Sequence, residues 1–253
     1  MLHTIQADFY RLFRSKGFWI SEFFLILNII SGVFFGDTGH VGIQPPQKVK
    51  TTWTGFKALV NCSNNISTTV LFILIVLFIL IIIAIVVGVD LNQKLYKNSI
   101  TCGVSRTGYF FAKASVIIAI SFSQFILSYA LAFILETIVH GLGTAPHNFA
   151  AHFAVTVLIQ LLCSIAWASI ATFALYMTHS IVAIFVSFIL GTAVLGLPTV
   201  FFPKIELFKY FGLNFNFVLA SDATVAQNSA LVALGFIVIF ALFGLIIFKK
   251  QDL

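Results

Sequence analysis

The sequence predicts an all-α membrane protein with six transmembrane helices, and two observations lead to this fold class. Hydrophobic residues fill 60% of the 253 positions and charged residues only 9%, whereas an ordinary soluble domain carries about 25% charged residues. Apolar runs such as 70–89 and 229–248 reach the roughly 20 residues that a helix needs to cross a bilayer. Strand-like alternation is absent. Because a backbone in lipid must satisfy its own hydrogen bonds, helices are the predicted spanning element.

The chain begins with a predicted amphipathic helix, 2–16, that lies in the membrane interface. Its apolar residues recur three or four positions apart, at Leu2, Ile5, Phe9, Leu12 and Phe13. Its charged residues fall elsewhere on the helix, at Asp8, Arg11, Arg14 and Lys16. No small-residue cleavage site follows the first apolar run near Gly36, so that run is predicted to be an uncleaved span.

Six apolar segments are predicted to cross the membrane within a single transmembrane domain, 1–253. Their boundaries are 18–35, 69–89, 112–135, 151–177, 181–197 and 229–248. A polar loop, 37–68, is predicted between the first two spans. The short turn 178–180 is predicted to force the fourth and fifth spans into an antiparallel pair. Segment 198–228 is too polar to cross alone, and an outer loop with interfacial or re-entrant helices is predicted there.

Basic residues cluster at the ends of the apolar runs, so the net charge of +6 is typical of membrane topology and not of nucleic-acid binding. One side of the predicted membrane holds Arg11, Arg14, Lys16, Lys94, Lys97, Arg106, Lys113, Lys249 and Lys250. The other side holds Lys48, Lys50, Lys57, Lys204 and Lys209. The positive-inside rule therefore predicts a multi-pass protein of the cell membrane with both termini in the cytoplasm. No nucleic-acid partner is expected.

The most informative segment is the basic stretch between the second and third predicted spans, 90–113. Three apolar residues recur there at helical spacing: Leu91, Leu95 and Cys102. Gly103 is a natural stop for such a helix, and Ser105 or Thr107 is suited to cap the next one. The pattern favours a short cytoplasmic helix held between two spans, and an ordinary solvated basic loop fits it equally well.

This segment resembles the corresponding part of ABC type 2 permeases, especially bacterial members that export peptide antibiotics or confer immunity to them. Those proteins typically have an acidic residue leaving the second span, a Lys-Asn pair further on, then Gly-x-Ser-Arg and a Lys opening the third span. The matching residues here, in the same order, are Asp90, Lys97, Asn98, Gly103, Ser105, Arg106 and Lys113. The family usually has Glu where Asp90 stands, which is a conservative difference.

The resemblance implies the permease subunit of an ABC exporter, with a coupling helix between the second and third spans that docks on a separate ATPase dimer. ATP and Mg²⁺ would bind to that partner, and no cofactor or metal is expected in this chain. Leu95, Tyr96 and Ile100 are the predicted docking contacts. Lys97 and Arg106 pair either with carboxylates of the ATPase or with anionic lipid headgroups. A second permease copy or a homologous permease would complete the path for a hydrophobic or amphipathic cargo such as a peptide toxin, bacteriocin or drug.

Two other functions compete with transport: an intramembrane enzyme, and a non-transporting membrane anchor or sensor subunit. The sequence contains neither G-x-S-x-G nor H-E-x-x-H, which disfavours the common hydrolase sites. The phosphate-binding pattern G-x-x-x-x-G-K-[ST] is also absent, so the chain is not expected to hydrolyse ATP. A passive anchor has no need of a rigid cytoplasmic helix.

Glu22 and Glu136 are acidic residues close to the predicted membrane phase. Burying a charge in hydrocarbon is costly, so such groups are candidates for function, and Glu22 is predicted to bind a cation or to pair two helices. Both also lie near predicted helix ends, where a side chain reaches water and most of that cost disappears.

Overall fold

The computed structural model describes residues 2–35, 54–64, 70–145, 147–202, 205–213, 215, 217 and 219–250, and the regular secondary structure among them is helical throughout. The helices are α1 (Leu2–Arg14), α2 (Lys16–Phe35), α3 (Gly55–Asn64), α4 (Val70–Ile83), α5 (Val89–Asn92), α6 (Leu95–Thr101), α7 (Arg106–His140), α8 (Phe149–Thr178), α9 (Val182–Phe201) and α10 (Ala223–Lys250). A π-helical segment, Ala84–Gly88, joins α4 to α5, and two 3-10 turns, Glu206–Tyr210 and Leu219–Ser221, lie between α9 and α10. The predicted all-α fold is confirmed for this part of the chain.

Four helical stretches in the described ranges are long and apolar enough to cross a membrane. They are Ile75–Asn92, Arg106–His140, Phe149–Thr178 and Ala223–Lys250, and they coincide with the predicted second, third, fourth and sixth spans. Helices α2 and α9 coincide with the predicted first and fifth spans, although the apolar part of α9 is shorter. The count of six spans therefore stays a prediction.

Helix α1 is separated from α2 by the single residue Ser15, whose amide donates to the carbonyl of Leu12 at 3.0 Å. Leu12 and Phe18 are buried on either side of this break. The rings of Phe13 and Phe18 also meet edge to face, with centroids 5.5 Å apart. Helix α1 therefore folds back onto the helical body, where it packs against α7 and the π-helical segment. Its location in a membrane interface stays a prediction.

The tight turn between α8 and α9 forms the antiparallel pair that the sequence predicts. His179 ends α8 in a left-handed conformation with φ of 54°. The indole of Trp167 on α8 packs edge to face on Phe188 of α9, with ring centroids 5.0 Å apart. A β-carbon placed at Gly191 would lie 2.8 Å from that indole. Gly191 thus lets the two helix backbones approach closely.

Helix α3 lies inside the segment that the sequence predicts as a polar loop, so the loop prediction is wrong at 55–64. Its first amide, on Gly55, donates to the carbonyl of Gly141 at 2.8 Å. The ring of Phe56 packs on Phe133 and Phe149, with centroid distances of 5.6 and 5.3 Å. Helix α3 forms because it can cover the ends of α7 and α8, a tertiary contact that its own sequence does not reveal. The rest of the predicted loop, 37–53 and 65–68, lies outside the described residues.

Helix α10 begins earlier than the predicted boundary at 229. Asp222 precedes it, and one carboxylate oxygen of Asp222 accepts from the backbone amides of Thr224 at 2.9 Å and Val225 at 3.5 Å. The hydroxyl of Thr224 also donates to this oxygen at 2.7 Å, and this bond, followed by the two amide bonds, holds the pKa of the Asp222 carboxyl below its ordinary value. A capping aspartate thus extends the helix through polar residues that hydropathy alone assigns to the loop.

Candidate functional site

Four charged side chains from three parts of the chain meet in a buried ionic cluster. Asp8 and Arg11 come from α1, Asp90 from α5 and Lys113 from α7. The Lys113 ammonium lies 2.6 Å from the Asp8 carboxylate and 2.5 Å from the Asp90 carboxylate. Arg11 bridges the same two carboxylates, to Asp90 in a short contact and to Asp8 at 3.3 Å. Lys113 is only 1% exposed, and two positive charges balance two negative ones.

The π-helical segment contributes a backbone acceptor to the ionic cluster. The carbonyl oxygen of Val86 accepts from Arg11 at 2.9 Å and from Lys113 at 3.1 Å. Single π-turns inside α-helices are frequent at functional sites, because the wider turn redirects backbone groups that an α-helix would bind internally. The carbonyl of Val86 therefore helps to hold two buried cations.

Burial raises the pKa of the Asp8 carboxyl above its ordinary value, although the Lys113 and Arg11 cations beside it favour the ionised form. One carboxylate oxygen of Asp8, Oδ1, accepts hydrogen bonds from both Arg11 and Lys113. Its other oxygen, Oδ2, is buried with no hydrogen-bond partner in the described part of the chain. Asp90 is better satisfied, because it also accepts the hydroxyl of Tyr109 at 2.9 Å. Asp8 is therefore the less stabilised carboxylate of the two.

An aromatic cluster next to the charges joins α6 to three long helices. The ring of Phe248, near the end of α10, packs on Tyr96 of α6, Tyr109 of α7 and Tyr176 of α8, with centroid distances of 5.8, 5.6 and 5.2 Å. Tyr109 belongs to both clusters, since its hydroxyl binds Asp90. The short helix α6 is thus fixed to the same structure as the ionic cluster.

The connections on either side of α6 are short and ordered. Lys94 precedes α6 with φ of 55°, and Gly103 follows it with φ of 93°. Ser105 then caps α7, as predicted, since its hydroxyl oxygen accepts from the amide of Gly108 at 3.1 Å. The guanidinium of Arg106 donates to the carbonyl of Lys249 at 2.5 Å, which ties the start of α7 to the end of α10.

The predicted docking residues on α6 do not share one face. Leu95 is 37% exposed, whereas Tyr96 is buried and Ile100 is half-buried against the hydrophobic core. Lys97 is half-buried and Asn98 is exposed. In a helix as short as α6, the sequence alone does not show which of these three apolar residues face the helical body and which face outward. The structure separates them, and it leaves Leu95 as the apolar residue available on the outer face.

The partners of Asp90 and Lys113 within the chain were missed by sequence reasoning. Asp8 and Arg11 stood out only as charges on the polar side of an amphipathic helix, a position that favours solvent or headgroups. Their spacing of three residues puts them on one helix face. No local sequence pattern indicates that this face of α1 contacts Asp90 and Lys113.

The two acidic residues of the predicted membrane phase have different partners. Glu136 lies 2.7 Å from the Nδ1 atom of His140, one turn further along α7. Glu22 on α2 accepts a short hydrogen bond from the side-chain amide of Gln124, near the middle of α7. The expectation of a position near a helix end fits Glu136. Glu22 likewise lies near the start of its own helix, as the seventh residue of α2, and its hydrogen bond with Gln124 joins α2 to the middle of α7.

The family model described as ABC-2 family transporter protein matches residues 4–194. The chain belongs to the ABC-2 transporter family. The matched range runs from α1 into α9, so it includes all four charged residues of the ionic cluster and the whole of α6. A search of the curated proteins finds no match.

Membership of the ABC-2 family and the apolar helices make this chain a membrane transport subunit and not an enzyme. ABC-2 permeases generally work with an ABC ATPase. In this ABC-2 chain, segment 90–113, where the sequence resembles the family most specifically, contributes Asp90 and Lys113 to the ionic cluster and Tyr96 and Tyr109 to the aromatic cluster.

Proposed function

We propose that this chain is the permease subunit of an ABC exporter, in which a separate ATPase dimer drives the movement of a hydrophobic or amphipathic cargo. The observation that carries the proposal is the packing of α6 against α5, α7 and α10. On one side, Asp90 links α5 to α1 and α7 through the ionic cluster. On the other side, Tyr96 packs against α10 through Phe248.

This attachment suits a coupling helix, because a flexible loop would absorb a movement that a packed helix passes on. When the ATPase dimer closes, a displacement of α6 is expected to move α5 and α7 with it. The buried salt bridges oppose separation of these elements, since parting them would leave charges unpaired in an apolar environment. In this proposal ATP and Mg²⁺ bind to the ATPase, and α6 of this chain transmits the movement to the membrane helices.

The docking surface we propose is the outer face of α6. Leu95, Asn98 and Thr101 are exposed there, and Leu95 supplies the apolar contact. Tyr96 and Ile100 support the helix from inside. Lys97 remains a candidate partner for an ATPase carboxylate or a lipid headgroup.

The finer points of the assembly are part of the same proposal. Six spans with both termini in the cytoplasm would place α6 on the ATPase side of a bacterial cell membrane. A second copy of the chain, or a homologous permease, would complete the translocation path. Peptide toxins and bacteriocins are the favoured cargo, followed by hydrophobic drugs.

The variant Leu95→Asp tests the docking surface. In membranes that also contain the candidate ATPase, we expect co-purification and ATP turnover to fall by about tenfold or more, because a carboxylate at a docked apolar position costs over about 1.4 kcal/mol. Leu142→Asp is the matched control, since Leu142 is 49% exposed in the connection that follows α7, at the end of that helix remote from α6. Equal loss in both variants, or in neither, would count against docking through α6, and unchanged thermal unfolding of Leu95→Asp would show that the permease itself is intact.

A further inference from the structure

Glu22 has no cationic partner among the described residues. Asp8 and Asp90 each form ion pairs, Glu136 contacts the imidazole of His140, and Asp222 caps a helix at an exposed end. Glu22 instead accepts one hydrogen bond from the side-chain amide of Gln124. It is only half-buried, so a molecule on the outer surface of α2 and α7 can reach it.

Glu22 and Gln124 lie deep within the predicted membrane. Gln124 follows Lys113 by eleven residues along α7, which is about 16 Å at the rise of an α-helix. Lys113 belongs to the ionic cluster at the predicted cytoplasmic end of the helices. Half of a bilayer core is about 15 Å, so Gln124 lies far inside its predicted span, and Glu22, close to the start of α2, reaches it there.

Two polar atoms on the buried face of α7 lack hydrogen-bond partners in the described part of the chain. One is Oε1 of Gln124, in the same amide group that donates to Glu22; Gln124 is 2% exposed. The other is the hydroxyl of Ser128, one turn further along the same buried face of α7. A carboxylate and an amide oxygen at one place both present negative charge or partial negative charge, so they suit a ligand that carries a positive charge.

The surface around Glu22 is apolar and aromatic. Trp19 and Phe23 are exposed close to Glu22 in sequence, and Leu127 on α7 is exposed close to Gln124 in sequence. Apolar surface attracts the hydrocarbon part of a ligand, and an aromatic ring attracts its cation. These groups therefore fit an amphipathic cation better than a small hydrated ion.

A second copy of this chain has no described cation to offer at that depth. Lys and Arg residues of the long described helices lie in their end portions: Lys16 in α2, Arg106 and Lys113 in α7, and Lys249 and Lys250 in α10. Helices α8 and α9 contain neither Lys nor Arg. The positive group that complements Glu22 is therefore expected to come from the cargo.

We infer that Glu22, with the amide of Gln124, forms a binding site inside the membrane for the cationic group of an amphipathic cargo. This inference rests on the proposed transport function and narrows its cargo class to molecules with a positive charge. Uncharged lipids and neutral drugs would lack the group that the site recognises.

Binding of radiolabelled tetraphenylphosphonium, a lipophilic cation, to the purified chain in lipid nanodiscs tests the site. Wild-type protein should bind it saturably, and Glu22→Gln should bind about tenfold or more weakly, because the substitution removes the charge and keeps the shape. Glu136→Gln is the matched control and should bind like wild type, since His140 already pairs with Glu136. Neutral triphenylphosphine oxide should not displace the label.

A second measurement uses the unaltered chain in case Glu22→Gln fails to fold. A hydrophobic carbodiimide modifies membrane carboxyl groups, and mass spectrometry of the peptides reports modification of Glu22 and Glu136 separately. Tetraphenylphosphonium should slow the modification of Glu22 only.

Four results would overturn the inference. They are the absence of saturable binding by wild type, equal binding by folded Glu22→Gln, equal displacement by the neutral analogue, and modification of Glu22 that the cation does not slow. Loss of self-association in Glu22→Gln without a change in cation binding would assign the residue to a permease interface. No ATPase takes part in these measurements, so failure of the cation site is distinguishable from failure of docking through α6.

Discussion

Replacement of Lys113 by methionine is expected to lower the free energy of unfolding by about 3–5 kcal/mol. Lys113 is buried and contacts the carboxylates of Asp8 and Asp90 together with the carbonyl of Val86. Methionine fills much of the same volume without charge. It would leave two buried carboxylates to share one half-buried guanidinium, that of Arg11. The midpoint of thermal unfolding in detergent or nanodiscs, followed by tryptophan fluorescence, measures the loss.

Two variants control for other effects of this substitution. Lys16→Met removes an exposed lysine at the start of α2 and should change the midpoint little. The double variant Asp90→Asn, Lys113→Met removes one charge of each sign and leaves Asp8 with Arg11. Its loss in free energy of unfolding should be smaller than the sum of the losses in the two single variants. Equal midpoints for Lys113→Met and Lys16→Met would show that the ionic cluster does not hold α1, α5 and α7 together.

Replacement of Trp167 by alanine is expected to cost about 3–5 kcal/mol, the usual range for a large aromatic residue in a packed core. The indole is 2% exposed, packs on Phe188 and lies against Gly191 of α9. Its removal would leave a cavity between α8 and α9, because a glycine on the facing helix has no side chain to fill the space. Differential scanning calorimetry or fluorescence unfolding gives the change in midpoint.

The matched control for this change is Phe34→Ala, which truncates a large aromatic residue that is exposed on α2. Its midpoint should stay close to that of wild type in the same detergent. The variant Trp167→Phe, whose ring fills part of the cavity, should lose less free energy of unfolding than Trp167→Ala. A Trp167→Ala protein as stable as Phe34→Ala would mean that the α8–α9 contact does not contribute to stability.

Much of the helical framework was predictable from the sequence, because apolar runs and capping residues act locally. The turn between α8 and α9 and the cap at Ser105 both follow from short-range rules. Helix α3 was not predictable in this way. It depends on the contact of Phe56 with α7 and α8, which no local pattern encodes.

The candidate site was predictable only in part, for the same reason. Asp90 and Lys113 were recognisable from the family motif, and the structure places them in one cluster. Their partner helix α1 meets them through the fold, so Asp8 and Arg11 gave no signal. The direction of Tyr96 likewise depends on Phe248 at the far end of the chain.

The outer face of α6 is the proposed contact between this permease and its ATPase. A photo-reactive amino acid placed at the exposed position 98, in place of Asn98, tests it in membranes that contain both proteins. We expect an ultraviolet-dependent cross-link to the ATPase from position 98 and none from position 142, where Leu142 is also exposed. No cross-link from position 98 in membranes with active ATPase, or equal cross-linking from both positions, would contradict it.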